Sequence, residues 1–103
     1  MLDYLAQFFV GALLCNALPH LAAGLQGRCF PTPFATPRGV GHSSPLANVL
    51  WGFANLFGGT ALAIANPAHD LMRMIVIAVG AVVLGVYLAV HFGRVERSRR
   101  AAA

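Results

Sequence analysis

Few residues in this chain could carry chemistry. There are four histidines, His20, His42, His69 and His91, two cysteines, Cys15 and Cys29, and three acids, Asp3, Asp70 and Glu96. Imidazole and thiolate are ligands for zinc, copper and haem iron. His20, His42, His91 and Cys29 are the candidates, because all four fall towards the same end of the apolar segments. Their spacing contains no HxxxH pair and no CxxC motif. Metal and cofactor therefore remain unassigned by spacing. Ser43 and Ser44 lie beside His42, yet no acid is placed to orient that imidazole, so no nucleophilic triad is read. Gly39-Val40-Gly41 follows no strand and precedes no lysine, so it is no phosphate loop. No catalytic residue is assigned, and the chain does not read as an enzyme.

The stronger signal is a set of amides in apolar surroundings. Asn16 and Asn55 lie near the middle of two hydrophobic segments, at matching depth for a rise of about 1.5 Å per residue. His20 follows Asn16 by one helical turn. Asn48, Gly52, Asn55 and Gly59 recur on one helical face. An amide in hydrocarbon needs a partner, and the glycines allow a second helix to come close. The expectation is one polar intramembrane cluster of Asn16, His20, Asn48 and Asn55 between the first two segments. Its plainest role is interhelical glue worth about 1 kcal/mol. Its sharper role is contact with a polar substrate or cofactor.

The elements that must position these groups follow from composition. The chain has 103 residues, 58% hydrophobic and 10% charged. Its mean hydropathy is +0.71. A soluble domain carries about 25% charged residues. Windows 4–27, 39–69 and 74–93 hold no charge at all. About 20 helical residues cross a hydrocarbon core, so the fold expected is an all-α integral membrane protein with three transmembrane helices. The spans are placed at 2–25, 46–65 and 71–92. Pro19 should kink or break the first of them. Residues 26–45 hold four prolines and three glycines, which excludes a continuous helix there. Phe30 and Phe34 make that stretch an ordered loop rather than a linker. Residues 66–70 form a tight turn, and 93–103 form a basic tail.

Arginine placement gives an orientation. All seven basic residues are arginine, and Arg94, Arg97, Arg99 and Arg100 crowd the tail. Arg28 and Arg38 lie in the loop, while the opposite side holds Asp3, Asp70 and Arg73. By the positive-inside rule the N-terminus is out and the C-terminus in. The tail arginines, with Trp51 and Tyr87, read as membrane-surface anchors. The tail lacks aromatic interleaving, so nucleic acid is not a partner. Gly52, Gly59, Ala81, Gly85 and Ala89 read as helix-packing positions. The partners expected are membrane lipids and other transmembrane helices, from a homo-oligomer or a larger complex. The localisation expected is a bacterial-type inner membrane. The favoured function is a small accessory or structural subunit of a membrane assembly. The alternatives are a homo-oligomeric carrier or channel for a small solute, and a lipid-, quinone- or haem-binding membrane protein.

Overall fold

The computed structural model describes residues 2–102 and has three α-helices and no strand among them. α1 spans Leu2–Leu25, α2 spans Pro45–Ala65 and α3 spans Leu71–Ala102. All three are long and apolar enough to cross a membrane. The molecule measures 49 × 24 × 20 Å. α1 is the central element: α2 and α3 each pack on it and not on each other. That leaves a cleft between α2 and α3 whose floor is α1.

Local chemistry sets the helix ends. α1 passes through Pro19 without ending, and stops six residues later. There Arg28 N–H donates to Ala23 O and Gly27 N–H to Gly24 O, with Gly27 at φ 73°. This is the Schellman closure, which favours glycine at its left-handed position. Ser44 caps α2 by accepting from the Ala47 N–H at 3.1 Å, and Pro45 occupies the first helical position. Asp70 caps α3 through the Arg73 N–H at 2.9 Å.

Close backbone approach holds α3 to α1. A side-chain carbon on Gly11 would run into Ile77 O, and one on Gly80 into Phe8 O. The tightest crossing thus sets Gly11 against Ile77 and Ala81, and Gly80 against Phe8, so Gly80 joins it beside Ala81 of the Ala81–Gly85–Ala89 stripe read from sequence. A carbon on Gly85 would meet only Cys15 Sγ, at an ordinary 3.6 Å, and Ala89 is exposed. Gly80 and Gly85 lie on neighbouring faces of one helix, and spacing alone does not say which of them comes closest to α1. On α2 the glycines do face α1: Gly52 lies against Leu21, and Gly59 against Leu13 and Leu14.

Two further differences from the sequence reading concern the ends of the molecule. The third helix does not stop at residue 92 but runs 32 residues, about 48 Å, so the arginine tail is helical. Arginine, alanine and glutamate are good helix formers, no proline interrupts them, and Glu96 pairs with Arg100 at 3.1 Å. At the opposite end Arg73 binds Asp3 at 2.6 Å and also Asp70, joining the starts of α1 and α3. Buried Gln7 donates from Nε2 to Asn66 O at 3.0 Å and to Pro67 O at 3.3 Å, which ties the tight turn to α1.

The loop of residues 26–44 is folded over the other end. Phe30 and Ser43 exchange backbone hydrogen bonds as an isolated antiparallel bridge, at 3.2 and 3.0 Å. The Thr32 and Ser43 hydroxyls bond at 2.6 Å, and the Gly39 N–H donates to Thr32 O. Thr32, Pro31 and Ala35 are buried. The loop is fastened to α3 by His91, whose Nε2–H donates to Gly39 O at 2.7 Å. Arg99 adds a bond to Val40 O at 2.8 Å and touches His42.

A candidate binding site beneath the loop

Asn48 is the fixed point of the site. It projects from the first turns of α2 and is fully buried. Its Nδ2 donates to Phe30 O at 2.9 Å and Ser44 O at 3.0 Å, with Ser43 O at 3.3 Å. Carbonyls only accept, so the amide has one orientation, and its Oδ1 is left for His20 Nδ1 at 2.8 Å. That contact requires the ring proton on Nδ1. Nε2 then carries the lone pair of the neutral imidazole. His20 Nε2 has no partner among the described residues.

The second amide pair is fixed by the same logic. Asn55 Nδ2 donates to Trp51 O one turn back, at 2.9 Å, so Asn55 Oδ1 faces Asn16 and accepts from its Nδ2 at 3.0 Å. Asn16 Oδ1 makes no hydrogen bond among the described residues. Asn16 and Asn55 therefore bridge α1 to α2 directly, and His20 and Asn48 do so one layer nearer the loop. The two pairs are stacked layers rather than one four-way network, since no bond joins one pair to the other among the described residues.

Aromatic rings enclose the histidine. Phe30 of the loop stands edge-on to His20 at 5.5 Å between centroids, with Phe92 at 6.4 Å and Trp51 at 6.5 Å. Trp51 also packs edge-on against Phe34 at 4.9 Å. Its indole Nε1–H is buried and has no acceptor. The indole of Trp51, read from sequence as a membrane-surface anchor, thus turns its N–H into the protein, with Phe34 of the loop against its ring. Tyr87 is exposed and stacks on His91, with the planes 5° apart. Arg94, Arg97 and Arg100 are exposed, whereas Arg99 is turned onto the loop.

The weak metal candidates are not gathered. His91 is committed to Gly39 O, His42 lies beside Arg99, Cys29 is exposed, and His20 is in the cleft. Among the described residues no group of three or more His, Cys, Asp or Glu side chains is arranged to hold a metal ion. Sequence reasoning missed Phe30, Phe92 and Thr32 as parts of the site. Only Phe30 and Thr32 carried a signal, since both lie in a proline-rich segment too apolar for a linker. Comparison of the chain with protein-family models, curated proteins and solved structures finds no match.

Proposed function

We propose that this protein is a small accessory or structural subunit of a larger membrane assembly, placed with its N-terminus out and its loop and C-terminus in. The observation that carries the reading is how the polar groups within the spans are used. Asn16, Asn48, Asn55 and Gln7 all bind other parts of the same chain. They brace the three helices against one another. α3 is covered by α1 and, towards its C-terminal end, by the loop, and its C-terminal turns extend beyond a hydrocarbon core of about 30 Å as a basic helix. A helix with exposed Arg94, Arg97 and Arg100 suits an acidic partner surface or anionic headgroups. Arginine on both the loop and the tail supports the orientation, and a bacterial-type inner membrane is the location it suits.

Mild extraction followed by native mass measurement tests this proposal. Co-isolation of a stoichiometric membrane partner is the expected result. A bare monomer from membranes at natural abundance overturns it. A second reading, a ligand-binding membrane protein, is favoured by one specific observation: the open Nε2 of buried His20 beside an unpaired indole N–H.

A further inference from the structure

The cleft under the loop encloses a cavity of about 160 Å³, walled by Asn16 and His20 of α1, Trp51 of α2, Tyr87 and Phe92 of α3, and loop residues that include Pro31. We propose that this cavity binds a small hydroxylated aromatic molecule, a phenol or the ring of a hydroquinol, whose hydroxyl donates to His20 Nε2. The inference rests on the second, ligand-binding reading above and gives it a chemical class.

Size, polarity and wall chemistry each restrict the occupant. An apolar cavity of about 150 Å³ holds a benzene-sized molecule, so this volume suits one aromatic ring and is far too small for a porphyrin. His20 is 98% buried, and its Nδ1 proton is held by an amide that three backbone carbonyls orient. Nε2 is consequently a fixed acceptor, and it calls for a donor. Asn16 Oδ1, on the same wall, is a second acceptor without a partner among the described residues. The Trp51 N–H is shielded within the protein and has no acceptor among the described residues, so what the wall offers an occupant is these two acceptors, which call for a donor. A hydroxyl both donates and accepts, whereas a ketone or a quinone only accepts. A metal ion finds one imidazole nitrogen and one neutral side-chain amide here, with no second histidine, thiolate or carboxylate on the wall among the described residues. The rings of Trp51, Tyr87 and Phe92 supply edges and faces for an aromatic guest.

Trp51 is the sole tryptophan, so its emission reports directly on the cavity. Purified full-length protein in lipid nanodiscs is titrated with phenol and with anisole, exciting the indole where neither probe absorbs. Anisole keeps the ring and the acceptor oxygen but has lost the donor. The expected result is a saturable change with phenol at least about tenfold tighter than anisole, the scale of one lost buried hydrogen bond. Equal affinity for the two overturns the hydroxyl assignment and leaves the ligand-binding reading standing. No saturable response to phenol, to anisole or to a hydroquinol bearing a ten-carbon tail overturns both. Between the two sources, tighter binding of the tailed hydroquinol marks a membrane-dissolved ligand, and tighter binding of phenol marks a free one. His20→Phe adds a check: it should abolish the preference for phenol over anisole, and a preserved preference refutes the role given to Nε2. The comparison of probes on the unaltered chain holds even where that variant fails to fold.

Discussion

Replacing Asn48 with leucine should open the loop without dismantling the helices. Leucine has the branched outline of asparagine, is bulkier, and removes both amide functions. Lost are the two N–H groups shared among Phe30 O, Ser43 O and Ser44 O, and the oxygen that accepts from His20. Each bond contributes about 0.6–1 kcal/mol net. The stranded His20 Nδ1–H, buried under Phe30, adds a desolvation cost of about 1–3 kcal/mol. Leucine's apolar contacts offset part of this, which leaves about 2–3 kcal/mol, or roughly a 30- to 160-fold rise in the open population. Trypsin reads that population where reclosing is faster than cleavage. Arg38 is the site to follow, because the next residue, Gly39, is pinned by Thr32 O and by His91. Cleavage after Arg38 should accelerate by the stated factor while far-ultraviolet dichroism stays unchanged. A rate within threefold of the parent, with the helices intact, would refute the claim that Asn48 holds the loop down.

Asn55→Leu should lower folded yield by stranding the Asn16 amide, and replacing both Asn16 and Asn55 by leucine should partly restore it; a double variant worse than either single one would sink the pairing. Gly80→Ala should cost about 1–3 kcal/mol because the new carbon meets Phe8 O, whereas Gly85→Ala should be tolerated against Cys15 Sγ; thermal stability in detergent ranks the two, and the reverse order contradicts the packing. The Asp70 carboxyl is held below its ordinary value of 3.8, first by the Arg73 backbone N–H and then by the Arg73 side chain. Its contribution is therefore complete above about pH 4 and is lost as pH falls through the lowered folded value, so Asp70→Asn should flatten the acid limb of a stability–pH profile. Cysteine labelling in intact cells should modify position 69 from outside and position 38 only after permeabilisation; labelling of position 38 from outside contradicts the proposed orientation.

The helices were legible in the sequence because charge-free runs of the right length leave a chain few alternatives in a membrane. The depth match of Asn16 with Asn55 was legible too, since rise per residue is fixed. What spacing could not give was rotation and cover. Gly80 and Gly85 are five residues apart on α3, and only docking against Phe8 shows which one the backbone of α1 touches. The loop was harder still. Its prolines exclude a helix but do not indicate that Phe30 and Ser43 bridge, or that the bridge delivers three carbonyls to one side chain. Trp51 makes the same point: near the end of a span a tryptophan reads as a headgroup contact, and spacing does not show that Phe34 of the loop packs edge-on against it.

The loop's position has a consequence for the chemistry of His20. The imidazole tautomer is set by Asn48, and the Asn48 amide is set by carbonyls that belong mostly to the loop and its junction with α2. The loop in turn is held to α3 by His91 and Arg99. A displacement of the C-terminal end of α3 therefore reaches His20 through hydrogen bonds whose direction is fixed at His91, at Arg99 and at Asn48. With the loop closed, Nε2 is an acceptor in a small aromatic cavity. With the loop lifted, Asn48 is free to turn, the ring proton can move to either nitrogen, and the cavity loses its roof. A partner that grips the exposed Arg94, Arg97 and Arg100 would act on the helix that also carries the loop's two fastenings. Under the proposed assembly and the proposed occupancy of the cavity, the two events share this path, and each is expected to change the affinity of the other by the same factor.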